Sequence, residues 1–204
     1  MLADKDPLNV IITGVGGQGN LFASQILGRM LLQEGYCITV GETLGLSQRG
    51  GSVMSHIRAT KGEPLPPLIP EGLCHLVLAL EPTEGVRILK DYGNPEVLTI
   101  TNTRPIMPLD VLAGNVEYPE LEVVLQKLRE LSRRVWTVDA TDMALNMGDP
   151  IFANVIMLGA LDGLGIFPGG RAEFKNAIKK LIPAKAMAVN LKAFDHGKRS
   201  VKEL

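Results

Sequence analysis

Short apolar runs, each bounded by glycine-rich or polar residues, recur through the first two thirds of the chain. Their length of about five residues and their Val, Ile and Leu content are typical of strands buried in a parallel sheet. Between several of them, apolar residues repeat at the spacing of an amphipathic helix. The pattern predicts strands over residues 10–13, 36–40, 52–58, 75–80, 97–101 and 134–138, and helices over 22–31, 81–89 and 121–131.

The last third of the chain has a different pattern, in which helical periodicity replaces the short apolar runs. Residues 151–164 are apolar almost throughout, which is typical of a helix buried in a core. This stretch also contains a run of small residues, Gly159-Ala160 with Gly163 and Gly165, that would allow close helix packing within the chain or between subunits. Further helices are predicted over residues 141–147, 171–181 and 186–196.

Strands that alternate with helices predict an α/β protein, a three-layer α/β/α sandwich with a mostly parallel sheet and a Rossmann-like start. The sheet is expected to be mixed, because the strands over 36–40 and 52–58 have no helix between them and would pair antiparallel. We find no internal repeat and no composition boundary, so residues 1–204 are interpreted as a single domain.

Composition narrows the function classes. A net charge of −1 and an aromatic content of 4% argue against a nucleic-acid-binding protein. The apolar stretch over 151–164 is shorter than the roughly 20 residues that span a bilayer, and the opening residues lack the apolar core of a targeting peptide. We therefore expect a cytoplasmic protein that binds neither nucleic acid nor membrane.

The chain contains two cysteines, Cys37 and Cys74. A four-cysteine iron–sulfur cluster or zinc site cannot be built from two cysteines, so no metal site is predicted. Both residues lie in or beside apolar stretches, and we interpret them as buried, reduced thiols.

A glycine loop between the first strand and the first helix is the first candidate site. Its sequence, Gly14-Val-Gly16-Gly17-Gln18-Gly19, fits the G-x-G-x-x-G pattern in which a phosphate approaches a helix N-terminus. Glu42 lies about 23 residues further on, loosely compatible with a ribose ligand. Alternatively, the glycines allow close strand–helix packing, or the turn faces a partner subunit or a shared cofactor.

A second glycine-rich segment follows Glu42 and is the other candidate site. The guanidinium of Arg49, beside Gly50 and Gly51, could bind a carboxylate or phosphate in a fork. The alternative is a solvated hairpin loop. The cofactor-binding or substrate-access residues are predicted to be Gly14, Gly16, Gly17, Gln18, Gly19, Glu42, Ser47, Arg49, Gly50, Gly51 and Ser52.

Three other polar residues receive structural interpretations. His56 is expected to be a partly buried histidine whose hydrogen bonds are satisfied. Asp139 and Asp142 flank a strand end and a helix start, where capping or loop anchoring is expected. No catalytic residue is assigned.

The two glycine-rich segments together resemble the gamma domain of the 2-oxoacid:ferredoxin oxidoreductases. The Ser-Gln-Arg-Gly-Gly-Ser-Val form of the second segment is similar to the small, or beta, subunits of indolepyruvate oxidoreductases. Residues 154–161 and 190–194 resemble two helices late in that domain, so the resemblance runs from about residue 9 to residue 197.

This resemblance implies a gamma-type subunit of an enzyme that oxidatively decarboxylates a 2-oxoacid. Coenzyme A is then a co-substrate, and the products are an acyl-CoA, carbon dioxide and reduced ferredoxin. The resemblance places thiamine diphosphate and the [4Fe–4S] clusters on a larger catalytic partner subunit, and this chain alone would bind no cofactor. Ferredoxin would be reached through the complex, and the isolated chain could form a homodimer.

Two other function classes stay open at this point. The chain could be a stand-alone Rossmann-like nucleotide-binding protein, which would bind NAD(P), FAD or a related nucleotide at residues 14–19. It could also be a structural or interaction protein in which the glycines serve packing only.

Overall fold

A computed structural model describes residues 2–44, 51–107, 111, 113–115 and 117–204 of the chain. Its strands form one seven-stranded sheet in the order β2-β3-β1-β4-β5-β6-β7. The strands are β1 (Leu8–Val15), β2 (Cys37–Leu44), β3 (Ser52–Thr60), β4 (Leu76–Ala79), β5 (Leu98–Asn102), β6 (Arg134–Val138) and β7 (Lys202–Glu203).

Seven helices are found in the described residues, together with short 3-10 turns. They are α1 (Asn20–Gln33), α2 (Pro82–Tyr92), α3 (Leu121–Leu131), α4 (Ala140–Asn146), α5 (Ala153–Gly163), α6 (Arg171–Ile178) and α7 (Met187–Ser200). None of them has both the length and the apolar character needed to cross a membrane.

The sheet is mixed, as its sequence pattern predicts. Strands β1, β4, β5 and β6 run parallel to one another, whereas β2 and β3 form an antiparallel pair that joins the sheet through β1. All eight residues of β1 are buried, because helices or loops cover both faces of the sheet. The predicted α/β fold is confirmed.

The helices form the two outer layers. Alternate side chains of β1 enter different cores: Val10 and Ile12 pack with α1 and the C-terminal helices, and Ile11 packs with α2 and α3. Two helices that follow successive parallel strands, α1 and α2, therefore lie on opposite faces of the sheet.

The close-packing prediction for the small residues of α5 is confirmed within the chain. A Cβ placed on Gly159 would lie 2.0 Å from the backbone oxygen of Phe194, and one on Gly197 would lie 1.8 Å from that of Ile156. The backbones of α5 and α7 thus touch where glycines from both helices meet.

Three details differ from the sequence pattern. β7 is absent from the prediction, and it pairs antiparallel with β6. In the sheet, β3 lies between β2 and β1. The Rossmann-like part of the fold is therefore limited to β1, the glycine loop and α1. The predicted 151–164 helix begins as a 3-10 turn, Pro150–Phe152, which the Asp149 side chain caps. The assignment of residues 1–204 to one domain stays a prediction.

Candidate functional site

A cavity of about 320 Å³ lies at the carboxyl ends of the central parallel strands. Gly16, Leu80 and Asn102, which follow or end β1, β4 and β5, all line it. Since α1 and α2 leave these strands toward opposite faces, the cavity lies at the point where the winding of the sheet changes direction. This is the usual ligand position in open α/β sheets.

The Gln18 carboxamide holds the glycine loop in place. Its Oε1 accepts a hydrogen bond from the Val15 backbone N–H at 2.7 Å, and its Nε2 donates to the Leu80 carbonyl at 2.8 Å. The Gly16 N–H donates to the Gly51 carbonyl at 2.8 Å. The loop is therefore attached both to the end of β4 and to the second glycine-rich segment.

The glycines of this loop serve different purposes. Gly19 has a φ of +83°, and a Cβ there would lie 2.1 Å from the Asn154 side chain, so this position requires close approach. Gly17 has a φ of +105° with open space around the position of a Cβ, and it lines the cavity. Close packing thus accounts for the glycine at position 19, whereas Gly17 lines the cavity with backbone and no side chain.

Two asparagines that sequence reasoning did not select complete the cavity. Asn102 Nδ2 donates to the Leu80 carbonyl at 3.1 Å, and Asn102 Oδ1 accepts from the Thr141 N–H at 3.2 Å. Asn154, which is 1% exposed, donates from Nδ2 to the Gln18 carbonyl at 3.2 Å. In the sequence, these asparagines are marked only by position: Asn102 ends an apolar run and Asn154 interrupts one.

The cavity lining has little charge. Apolar side chains such as Ile106, Ile151 and Met157 alternate with the carboxamides, and no Lys, Arg or His lines it among the described residues. Its one carboxylate, Asp149, accepts a hydrogen bond from the Ile151 N–H at 2.9 Å. The cavity is suited to an uncharged part of a ligand, because an anion would have no described cation to pair with there.

The remaining predicted site residues fall into two groups. Glu42 does not line the cavity, and its carboxylate accepts from Ser24 Oγ at 2.9 Å and Ser55 Oγ at 2.5 Å. Ser52 donates to the Glu84 carboxylate, which also binds Arg87. Ser47, Arg49 and Gly50 lie outside the described residues. Their predicted roles in ligand binding stay predictions.

His56 differs from its expected state. It is fully buried, and its Nδ1 accepts from the Ile69 N–H at 3.3 Å, whereas its Nε2 has no hydrogen-bond partner among the described residues. Burial lowers the pKa of this imidazole, which favours the neutral form. The prediction of partial burial is therefore wrong, and no described residue satisfies the Nε2 atom of this histidine.

The cysteines and aspartates behave more nearly as predicted. Cys74 is buried, and burial raises its pKa to about 12, whereas Cys37 is only partly buried. Asp139 accepts from Thr103 Oγ1 at 2.5 Å and Asp142 pairs with Arg104 at 2.8 Å, so both anchor the segment after β5. The described residues contain no group of three His, Cys, Asp or Glu side chains arranged to hold a metal ion.

Comparison with known proteins agrees with the fold and defines the class. A sequence model of the pyruvate ferredoxin/flavodoxin oxidoreductase family matches residues 9–200, and the chain belongs to this family. It is 40% identical to indolepyruvate oxidoreductase subunit IorB of Archaeoglobus fulgidus, over 93% of each chain. It is 39% identical to the subunit of the same name from Pyrococcus horikoshii, over 96% of each.

Solved structures show the same fold. Pyruvate oxidoreductase subunit PORC of Thermotoga maritima superposes with a TM-score of 0.72 at 23% identity, covering 97% of this chain and 98% of that one. The 2-oxoglutarate:ferredoxin oxidoreductase of Magnetococcus marinus, with 2-oxoglutarate, coenzyme A and succinyl-CoA bound, gives a TM-score of 0.69 at 19% identity. That match covers 96% of this chain and 31% of the larger one.

Proposed function

We propose that this chain is the small, gamma-type subunit of an indolepyruvate-type 2-oxoacid:ferredoxin oxidoreductase. The observation that carries the proposal is the full-length relationship, at 39–40% identity, to two relatives that are both named as subunits of indolepyruvate oxidoreductase. Relatives named for pyruvate and 2-oxoglutarate synthases are only 26–27% identical, which favours the aryl 2-oxoacid.

The reaction in which we place the chain is an oxidative decarboxylation. The bond between the carboxylate and the oxo carbon breaks, carbon dioxide leaves, and the remaining acyl group is oxidised and transferred to the thiol of coenzyme A. Ferredoxin accepts the electrons. Thiamine diphosphate would supply the carbanion chemistry, and [4Fe–4S] clusters would carry the electrons.

Neither group fits the residues of this chain. Cys37 begins an edge strand and Cys74 is fully buried, so the two thiols cannot complete a four-cysteine cluster. The sequence also contains no Gly-Asp-Gly segment followed by a suitably spaced Asn for thiamine diphosphate. We therefore assign both groups to a larger partner subunit, to which ferredoxin would also bind.

The cavity supports a proposed role for this chain in binding coenzyme A. Its apolar and carboxamide lining suits an uncharged part of that molecule, while the phosphates would lie outside it. We propose that the Arg49 guanidinium binds those phosphates in a fork. In this proposal the chain contributes a wall of the access path for coenzyme A, and the reacting groups are provided by the partner.

Co-purification tests this assignment. The native chain should bring with it a larger protein that contains thiamine diphosphate and iron–sulfur clusters. Calorimetry on the isolated chain should give weak or no binding of NAD(P) and FAD. Tight nucleotide binding at residues 14–19 without any such partner would favour the stand-alone nucleotide-binding alternative instead.

A further inference from the structure

A buried carboxylate adjoins the cavity at Glu81, the residue that follows Leu80 and precedes α2. Glu81 is fully buried. In the described part of the chain, no lysine, arginine or histidine forms an ion pair with it. Burying an acidic side chain without a counter-ion costs free energy unless hydrogen bonds and a helix N-terminus stabilise it. The hydrogen bonds of Glu81 therefore indicate its structural role.

One oxygen of Glu81 is sufficient for the helix cap. Oε2 accepts from the Glu84 N–H at 2.9 Å and from Thr83 Oγ1 at 2.6 Å. The first of these bonds caps α2, and the second fixes the Thr83 hydroxyl in the first turn of that helix. A shorter capping residue such as Ser or Asp could make the same contacts, so capping does not explain the second oxygen.

The second oxygen joins two distant points of the segment between β5 and α3. Oε1 accepts from the Ile106 N–H at 3.5 Å, near the start of that segment, and from the Tyr118 hydroxyl, near its end. Burial and the neighbouring Glu81 carboxylate raise the pKa of Tyr118, so the phenol keeps its proton and remains a donor.

These contacts bear directly on the cavity. Ile106 lines it, and so does Leu80, whose carbonyl accepts from Gln18 and Asn102. The Leu80 carbonyl therefore holds the glycine loop, and the side-chain carboxylate of the next residue, Glu81, holds the Ile106 backbone.

We propose that Glu81 and Tyr118 are a positioning pair that fixes Ile106 against the cavity and thereby sets how well the cavity accepts the uncharged part of coenzyme A. The inference rests on the proposed function for the identity of the ligand. Neither residue is assigned contact with the reacting atoms.

The experiment compares Tyr118→Phe with Tyr36→Phe in the reconstituted complex. Both substitutions remove one hydroxyl that donates to an oxygen, but the Tyr36 hydroxyl donates to the Ala3 carbonyl at 3.1 Å, away from the cavity. The readouts are hydrogen exchange of residues 103–107 and the separate KM and kcat values for coenzyme A and the 2-oxoacid. Glu81→Gln, which retains one acceptor oxygen, serves as a second variant if Tyr118→Phe fails to fold.

Tyr118→Phe should accelerate exchange at residues 103–107 by about tenfold or more, because a lost hydrogen bond to a charged group costs at least that factor. It should raise the KM for coenzyme A severalfold while kcat and the KM for the 2-oxoacid stay unchanged, and Tyr36→Phe should alter none of these. Unchanged exchange would overturn the proposal, and so would faster exchange with an unchanged KM for coenzyme A, since the pair would then be structural only.

The proposed function and the positioning role of Glu81 and Tyr118 can be tested separately. A wild-type complex whose turnover does not require coenzyme A would contradict the proposed function. The exchange difference between Tyr118→Phe and Tyr36→Phe would still decide whether the pair fixes Ile106.

Discussion

The Nε2 atom of Gln18 lies 2.8 Å from the carbonyl oxygen of Leu80, 62 residues further along the chain. This bond joins the glycine loop after β1 to the end of β4. It places the loop beside the cavity at the carboxyl edge of the sheet, so a residue chosen from the sequence as a possible ligand contact is also a structural link within the site.

Replacing Gln18 with alanine should destabilise the protein by about 1–3 kcal/mol, because the Val15 N–H loses its acceptor in a partly buried place. Gln33→Ala, at the last residue of α1, is the control because it removes the same side chain outside the glycine loop. Its carboxamide makes exposed hydrogen bonds, so the loss should be within about 0.5 kcal/mol. Urea unfolding measures the stability of both variants. Equal losses of stability would contradict a stabilising role for the Gln18 hydrogen bonds.

Alanine at Gly159 or Gly197 should be destabilising by about 1–3 kcal/mol or more, since the added methyl group would meet backbone atoms of the facing helix. At about 2–4 °C per kcal/mol, the fall in Tm is measurable by calorimetry. Gly62→Ala is the control, because the nearest atom to its Cβ is a side-chain oxygen at 3.7 Å. A Gly159→Ala protein as stable as the control would contradict the close contact of α5 and α7.

Stability should fall as the pH drops below about 6.5, the ordinary pKa of histidine. Burial lowers the pKa of both His56 and His75 in the folded state. The unfolded chain therefore binds more protons between 6.5 and the lowered pKa values, and the stabilisation present above 6.5 is lost through that window.

Asparagine at both histidines removes the titrating group while offering an oxygen near the position of Nδ1, which accepts from a backbone N–H in each case. Urea unfolding at a series of pH values should then show a flatter dependence for the double variant between pH 7 and 5. An unchanged slope would mean that other groups cause the acid sensitivity.

Ile151→Glu should raise the KM for coenzyme A roughly fivefold in the reconstituted complex, because a carboxylate beside the cavity repels the phosphates by about 1 kcal/mol. Ile151 lines the cavity and is 62% exposed, so the substitution should leave the fold intact. Leu32→Glu, at a 55% exposed position outside the cavity lining, adds the same charge and should have no effect. Equal KM values for coenzyme A in the two variants would contradict the proposal that coenzyme A binds at the cavity.

Elements with strong local patterns were predictable from the sequence. The helix over Leu121–Leu131 and the strand over Arg134–Val138 have the predicted bounds, since each has clear periodicity and a polar boundary. β7 could not be found this way, because Lys202 and Glu203 have no apolar pattern and become a strand only by pairing with Thr137 and Trp136.

The site was predictable only in part, for a related reason. The glycine loop has a local signature, whereas Asn154 acquires meaning only when folding brings it to the Gln18 carbonyl, 136 residues away. Glu42 illustrates the converse: its distance from the loop in sequence suggested a ribose ligand, but β3 lies between β2 and β1 in the sheet. Strand order, which depends on pairing between distant segments, therefore keeps Glu42 away from the glycine loop.

The most direct test of the proposed function is acceptor reduction by purified subunits. The chain and its larger partner are assayed separately and together, with indolepyruvate, coenzyme A and ferredoxin. We expect reduction of ferredoxin and formation of the acyl-CoA only when the two are combined. Ferredoxin reduction by this chain alone, or full activity of the partner without it, would contradict its assignment as a required subunit.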